Sequence, residues 1–222
     1  MYIFYKNIYF YINKNMSDDR GIKVVLLGES GVGKTNLIRV SMGKPFDKNE
    51  NSTISSSYYE NDIEVKDKKY LYCLWDTAGQ EVYRSLNKIF IKESKIIIIV
   101  FAINSKESFE QIDFWLNYTK DILGSDNYIF GLVGNKSDLY EEQSVSDQEI
   151  QKKAQELQIK YKITSAATDS VGFKEFLDEL LTEYINKYSP QEIDKPKSFK
   201  ISEDKDDGGD EEKKKKGKKN CC

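Results

Sequence analysis

The chain has 222 residues, with 34 lysines and arginines against 37 aspartates and glutamates, and a formal net charge of −3. It contains no histidine, which excludes histidine-based acid–base catalysis and histidine–metal sites. Three cysteines make no disulfide framework, which fits a reducing compartment, and the charge balance gives no general reason to expect nucleic acid as a partner. The length suits one α/β domain with polar or irregular ends.

An extension precedes the domain. Residues 1–15 are rich in tyrosine, phenylalanine and isoleucine, but Lys6 and Asn7 interrupt the apolar stretch, which is too short to span a bilayer. No small-residue cleavage site follows, which argues against a secretory signal. We expect residues 1–20 to be disordered. Two interpretations stay open: a dispensable extension from an upstream start codon, or a segment that contacts a membrane.

A phosphate-binding pattern follows the first predicted strand. The apolar run 22–27 predicts that strand, and helical spacing of apolar residues predicts a helix over 34–42. Between them the pattern G-x-x-x-x-G-K-[ST] is matched by Gly28-Glu29-Ser30-Gly31-Val32-Gly33-Lys34-Thr35. Glycines let N–H groups face the phosphates, and the helix N-terminus adds partial positive charge. We expect Lys34 to reach the β- and γ-phosphates and the Thr35 hydroxyl to bind Mg²⁺.

The next segment predicts a hairpin and a switch. Strand-like runs over 57–66 and 69–75 predict an antiparallel pair that turns at Asp67-Lys68, with Cys73 as a buried thiol. The second run leads into Asp76-Thr77-Ala78-Gly79-Gln80-Glu81. After a phosphate loop, this segment indicates triphosphate hydrolysis linked to a conformational change.

The rest of the domain alternates strands and helices. The predicted elements are a strand over 96–101, a helix over 107–123, a strand over 129–134, a helix over 146–158, a strand over 161–165 and a helix over 172–187. This alternation predicts an α/β fold with a doubly wound sheet. Two apolar helical stripes are interpreted as core faces: Phe109, Ile112, Trp115 and Leu116, and Phe173, Phe176, Leu177, Leu180 and Leu181.

A second set of motifs indicates guanine. Asn135-Lys136-Ser137-Asp138 follows the strand 129–134, at the strand end where α/β sheets bind ligands. A carboxylate there can accept hydrogen bonds from guanine N1–H and the 2-amino group, whereas adenine would leave Asp138 unpaired. The Lys136 stem can lie on the base face. Alone, this tetrapeptide is more typical of a polar turn; after the phosphate loop it favours a guanine site, which Thr164-Ser165-Ala166 completes.

The C-terminal segment, 189–222, is polar. It contains an acidic run over 203–212 and six lysines over 213–219, and it cannot bury enough apolar area to order itself. Cys221 and Cys222 follow the lysines, a combination that indicates proximity to a membrane. A C-a-a-X signal would need cysteine at position 219, where lysine stands.

With these motifs in order, residues 21–188 resemble the small GTPases of the Ras superfamily, most closely the Rab family. The resemblance implies a P-loop GTPase domain with a six-stranded, mostly parallel sheet and helices on both faces. It implies binding of GTP and GDP with Mg²⁺, and slow hydrolysis of GTP. The implied nucleotide-binding residues are Gly28, Glu29, Ser30, Gly31, Val32, Gly33, Lys34, Thr35, Phe46, Thr53, Asp76, Gly79, Asn135, Lys136, Asp138, Ser165, Ala166 and Ala167.

The resemblance also implies individual roles. Thr53 senses the γ-phosphate through Mg²⁺, for which Thr35 and Asp76 are the other protein groups, Asp76 acting through a water. Phe46 packs against the guanine. The Gly79 backbone contacts the γ-phosphate. Gln80, the catalytic residue, orients the attacking water.

Partners and location follow from the same resemblance. It implies a monomer that meets an exchange factor, a GTPase-activating protein, effectors, a prenylation escort protein and a GDP-dissociation inhibitor. Two geranylgeranyl groups on Cys221 and Cys222 would anchor it to the cytosolic face of a membrane, from which it cycles to the cytosol. Two lipids are needed for stable anchoring because one gives marginal binding.

Departures from the Rab pattern leave alternatives open. The usual T-I-G-x-[DE]-F is replaced by Thr53-Ile54-Ser55-Ser56-Ser57-Tyr58, which alters the surface that faces effectors. The nucleotide chemistry is expected to stay intact. The alternatives are a nucleotide-dependent binding module that barely hydrolyses, a Ras-like signalling GTPase and an ATP-dependent P-loop enzyme.

Overall fold

The structure is a computed structural model that describes residues 21–49, 57–77, 84–124 and 127–188. The strands are β1 (Ile22–Leu27), β2 (Ser57–Val65), β3 (Lys68–Asp76), β4 (Ile96–Ala102), β5 (Ile129–Asn135) and β6 (Lys160–Ile163). The helices are α1 (Lys34–Ser41), α2 (Arg84–Ile91), α3 (Lys106–Glu110), α4 (Ile112–Leu123), α5 (Asp147–Leu157) and α6 (Gly172–Tyr188), with a 3₁₀ helix over Ser137–Glu142.

The strands form one six-stranded sheet in the order β2-β3-β1-β4-β5-β6. Strands β1, β3, β4, β5 and β6 pair in parallel, whereas β2 and β3 pair antiparallel. The predicted α/β fold with a mostly parallel sheet is therefore confirmed. Strands β3 and β4 follow one another along the chain but lie on opposite sides of β1, so the strand order reverses there. Open α/β sheets form a ligand crevice at such a reversal.

Strand β1 alternates between two buried faces. In β1, Val24 and Leu26 pack into one core with α1 and α6. Val25 and Leu27 face the other core, which is built with α2, α3, α4 and α5. Strand β4 is buried along its whole length because helices cover both faces.

The hairpin is present, but its predicted turn is shifted by one residue. Val65 pairs with Lys68, so the turn residues are Lys66 and Asp67 rather than Asp67-Lys68. Both have left-handed backbone, with φ values of 54° and 62°. This is the backbone that a two-residue hairpin turn requires, since its twist matches the strands. Exposed side chains at this end gave no apolar pattern to fix the register.

Two other predicted elements differ from the structure by more than a shift of one residue. The predicted helix 107–123 is two helices, α3 and α4, which meet at Gln111, and α3 starts from an N-cap at Ser105. The strand predicted over 161–165 ends at Ile163, so Thr164 and Ser165 lie in the loop beyond it. The helix α2 and the 3₁₀ helix were not predicted. Cys73 is 6% exposed, as expected, and burial raises the pKa of its thiol.

Helix α6 ends at the opposite edge of the sheet from the carboxyl ends of the parallel strands. The Tyr188 hydroxyl donates to the Tyr128 carbonyl at 3.3 Å, just before β5 begins. The chain after α6 therefore departs from the edge where β5 starts. Among the described helices, none is both long and apolar enough to cross a membrane. The predicted extension 1–20 and segment 189–222 lie outside the described residues.

Candidate functional site

Segments predicted separately from the sequence meet at one edge of the sheet. Gly28 follows β1, Thr77 follows β3, Lys136 follows β5 and Thr164 follows β6. Because these strands are parallel, their carboxyl ends share an edge. The crevice at the change of strand order therefore contains the phosphate loop and both predicted guanine segments.

Two loop positions require glycine. Gly28 has φ 141°, and a Cβ there would lie 2.0 Å from the Val100 carbonyl oxygen. Gly33 has φ 95°, and a Cβ there would lie 2.3 Å from Nδ2 of Asn135. The loop can therefore pack against β4 and Asn135 only when these side chains are absent.

Lys34 is a buried cation at the start of α1. It is 5% exposed, and its Nζ donates to the carbonyls of Gly28 and Glu29, both at 2.9 Å. Burial lowers the pKa of Lys34 to about 8, while the negative charges of Asp76 and Glu29 oppose that shift. The loop thus holds a desolvated ammonium, whose attraction for phosphate is stronger than in water.

Thr35 and Asp76 form the candidate magnesium site. The Thr35 hydroxyl donates to Asp76 Oδ2 at 2.7 Å, and Asp76 is fully buried. The Thr77 hydroxyl donates to the Leu26 carbonyl at 2.6 Å and fixes the chain after β3 to β1. A hydroxyl and a carboxylate are hard oxygen ligands and fit Mg²⁺, which takes few protein ligands when phosphates supply the rest. Bound there, Mg²⁺ would neutralise phosphate charge.

Asn135 joins the two halves of the site. Its Nδ2 donates to the Val32 carbonyl at 2.8 Å, and its Oδ1 accepts from the Ala166 N–H at 3.1 Å. The side chain is 1% exposed, so both hydrogen bonds are shielded from water. One amide therefore ties the phosphate loop to the loop after β6.

Asp138 is held in place by Ser165. The Ser165 hydroxyl donates to Asp138 Oδ1 and also accepts from the N–H groups of Ala167 and Thr168, at 3.0 and 3.2 Å. Asp138 is half-buried within the 3₁₀ helix, and Lys136 precedes that helix with left-handed backbone (φ 67°). The Asp138 carboxyl group thus has one oxygen already fixed by a hydrogen bond.

The motif that follows β1 matches a known family in the context of the whole domain. The Ras family model matches residues 23–186, which covers both halves of the crevice. The chain belongs to the Ras family. It is therefore a small GTPase domain with a nucleotide-binding switch, and Ras-family proteins generally bind GTP and GDP with Mg²⁺ and hydrolyse GTP.

The remaining predicted residues of this Ras-family site are less buried. Ser30, Gly31 and Ala167 are exposed at the rim of the crevice. Phe46 is 42% exposed. Its role at the base remains a prediction.

Several predicted residues fall outside the described ones. These are Thr53, Gly79 and Gln80 in the two switch segments and Cys221 and Cys222 at the C-terminal end. Their assignments rest on the sequence.

Sequence reasoning missed the site contacts of two side chains, Trp115 and Asn36. Trp115 was assigned to the core and is 1% exposed, but its Nε1 also donates to Glu29 Oε1 at 3.2 Å. Asn36 forms a two-way pair with the Asp47 backbone, donating to its carbonyl and accepting from its N–H, both at 2.9 Å. The sequence did contain a signal for Asn36, because it is a polar residue at a position of α1 that the helical pattern predicts to be buried.

Proposed function

We propose that this Ras-family protein is a Rab-type switch of vesicle trafficking. It binds guanine nucleotides with Mg²⁺, hydrolyses GTP slowly and is anchored through Cys221 and Cys222 to the cytosolic face of an internal membrane. The observation that carries guanine recognition is the Asp138 carboxylate, fixed by Ser165 beside the loop that Asn135 joins to the phosphate loop. Its acceptor geometry favours guanine over adenine.

Hydrolysis in this proposal depends on positioning and charge. Lys34 neutralises phosphate charge, and Thr35 with Asp76 would hold Mg²⁺. Gln80 orients the attacking water. The sequence has no arginine between Phe46 and Glu60 to stabilise the transition state in cis, so we expect slow turnover until a partner supplies one.

The course of the chain supports membrane anchoring. Helix α6 ends beside the start of β5, so residues 189–222 begin at the edge of the sheet opposite the nucleotide crevice. A lipid-anchored tail from that edge would leave the crevice facing the cytosol. The six lysines of 213–219 would add attraction to anionic lipid headgroups beside Cys221 and Cys222.

An aromatic cluster on β2, β3 and α2 supports protein partners. Trp75 packs against Tyr58 at 4.9 Å and Phe90 at 5.5 Å between ring centroids. Tyr58 stands where the Rab pattern has phenylalanine, and its hydroxyl contacts Cys73 Sγ at 3.2 Å and donates to Glu60. Trp75 and Phe90 are buried in the core, so the half-buried Tyr58 is the member of this cluster that a partner would contact, and its added polar group would distinguish effectors.

Nucleotide binding and hydrolysis are tested together on the full chain. We expect GDP to displace a fluorescent guanine nucleotide far better than ADP, and single-turnover phosphate release from GTP to be slow. Gln80→Leu should abolish release without weakening GDP binding. Equal displacement by ADP contradicts guanine recognition, and unchanged release from Gln80→Leu contradicts the role of Gln80.

The anchor is tested separately. Mass spectrometry of protein from eukaryotic cells should find a prenyl group on each of Cys221 and Cys222. An N-terminally tagged protein should localise to an internal membrane, whereas Cys221→Ser with Cys222→Ser should be cytosolic. Unmodified cysteines, or identical localisation of the double variant, would contradict the anchor.

The altered sequence around Thr53 favours one rival: a nucleotide-dependent binding module that barely hydrolyses. Addition of a GTPase-activating protein of the Rab class separates the two. Acceleration of single-turnover hydrolysis supports the switch, and nucleotide binding without any acceleration supports the binding module.

A further inference from the structure

The phosphate loop carries an acidic side chain directly after its first glycine. The backbone carbonyl of Glu29 accepts from Lys34 Nζ at 2.9 Å, while its side-chain Oε1 accepts from Trp115 Nε1 at 3.2 Å. Trp115 lies in α4, 86 residues along the chain. The same residue therefore touches the cation of the loop through its backbone and a distant helix through its carboxylate.

A carboxylate at this position is a risk for phosphate binding. Its negative charge would repel phosphates, and if it turned into the loop it would compete with them for Lys34 and for the loop N–H groups. The two charges already act on one another, because Glu29 is one of the two carboxylates that raise the pKa of Lys34 against the effect of burial. The orientation of Glu29 therefore bears on nucleotide affinity.

Trp115 is well suited to fix that orientation. It is 1% exposed, and its ring makes edge contacts with Phe114 and Tyr118 at centroid distances of 5.3 and 6.2 Å. A buried indole N–H needs an acceptor, and packing on all sides leaves the ring little freedom to move. Trp115 belongs to the core of the α4 face, whereas α1, which carries Lys34, packs on the other face.

We propose that Trp115 is a positioning residue for nucleotide binding: its indole N–H holds the Glu29 carboxylate towards α4, so that it does not compete with phosphates for Lys34. This inference rests on the proposed binding of guanine nucleotides at the loop. It assigns a site role to a side chain that otherwise belongs to the core.

A double-mutant cycle on the full chain tests the proposal. Trp115→Phe keeps an aromatic ring but has no N–H, so GDP dissociation, followed with a fluorescent analogue, should accelerate roughly three- to tenfold. Glu29→Gln has nearly the same shape without the charge. In the Glu29→Gln background, Trp115→Phe should change GDP dissociation by less than about twofold, because no carboxylate is released.

The cycle separates positioning from packing. Lost packing would accelerate GDP dissociation equally in both backgrounds, and that result would overturn the proposal, as would an unchanged rate in the Glu29 background. The matched control is Tyr188→Phe, which removes a hydroxyl donor at the end of the sheet opposite the crevice and should leave the rate within about twofold. A wild-type protein that binds no nucleotide contradicts the proposed function as well; guanine binding with a purely additive cycle contradicts this inference alone.

A spectroscopic readout covers poor folding of Trp115→Phe. In Trp75→Phe protein, Trp115 is the sole indole, since the chain has two tryptophans. Release of GDP should shift its emission when Glu29 is present and leave it unchanged in the Glu29→Ala variant. The same response with and without Glu29 would contradict the coupling.

Discussion

The two halves of the crevice are built by different means. The phosphate half consists of backbone and a few buried charges, with Lys34 at 5% exposure and Asp76 fully buried. The base half places a half-buried carboxylate, Asp138, through a hydrogen bond from the Ser165 hydroxyl, which itself accepts from backbone N–H groups. The first arrangement suits strong attraction to any polyphosphate, and the second suits discrimination between bases. We therefore expect substitutions in the phosphate half to lower the affinity for all nucleotides, and substitutions in the base half to lower the selectivity for guanine.

The largest effect is expected from the phosphate half. Lys34→Met should weaken GDP and ADP binding alike, by roughly a thousandfold for GDP, because charge-assisted hydrogen bonds worth about 4 kcal/mol in total are lost. Titration of a fluorescent GDP analogue measures this. Lys23→Met is the matched control, since Lys23 has a pKa also lowered to about 8 by burial but donates to the Lys92 carbonyl, outside the crevice. A loss confined to GDP would contradict the division between the halves.

The next effect belongs to the base half. Asp138→Ala should weaken GDP binding roughly a hundredfold and leave weak ADP binding unchanged, because two hydrogen bonds to a charged acceptor disappear. Competition between GDP and ADP for the labelled nucleotide gives the ratio. If both nucleotides lose affinity equally, Asp138 supports the fold and does not read the base.

The pH dependence of GDP affinity tests the role of the Lys34 charge in the phosphate half. The pKa of Lys34 is lowered to about 8, so the ammonium of the nucleotide-free protein loses a proton as pH rises through 8. Bound phosphates would raise this pKa and keep Lys34 charged. GDP binding then takes up a proton, so affinity should be flat below pH about 7 and fall roughly fivefold by pH about 8.7. Isothermal titration in buffers of different ionisation enthalpy measures the proton uptake. An affinity that rises over this interval would reverse the assignment; Lys23→Met should keep the wild-type slope.

The free energy of unfolding of the nucleotide-free protein should rise with pH, whereas the affinity for GDP falls. Between pH about 8 and 10.5 the unfolded chain binds more protons than the folded one, since Lys34 and Lys23 are depressed only when folded. The penalty for burying their charges is therefore relieved as pH rises. Chemical denaturation at two pH values checks the sign.

The smallest effect is expected from Ser165→Ala. Asp138 would lose one donor, which is worth about 1 kcal/mol, so GDP affinity should fall roughly fivefold while the carboxylate remains able to read guanine. Ser144→Ala, whose hydroxyl donates to the Ile103 carbonyl, is a control outside the crevice. An effect as large as that of Asp138→Ala would mean that Ser165 itself contacts the nucleotide.

Local chemistry explains what the sequence could predict. The alternation of apolar runs located β1, β4 and β5, and the glycine spacing located the phosphate loop, because both depend on neighbouring residues. The sequence did not reveal that the Asn135 amide donates to the Val32 carbonyl, 103 residues away. Nor did it reveal that a side chain at Gly33 would collide with that amide. Such contacts depend on how strands pair, which no local pattern records.

Trp115 shows a second limit. Helical periodicity assigned it to the core correctly, yet periodicity describes where a side chain lies and not the partner of its N–H. Ser165 is similar: its motif was predicted to complete the guanine site, but not that its hydroxyl donates to Asp138. Polar atoms inside an apolar pattern are where the sequence alone was least informative.

The amide of Asn135 has a further consequence for how the bound ligand leaves. Since a single side chain bonds both the Val32 carbonyl and the Ala166 N–H, neither loop can swing outward without straining the other. A regulator that pries open one side of the crevice would thereby loosen its grip on the opposite end of the ligand. The phosphates and the base would then be released together, and a protein that catalyses nucleotide exchange would need to bind only one of the two loops.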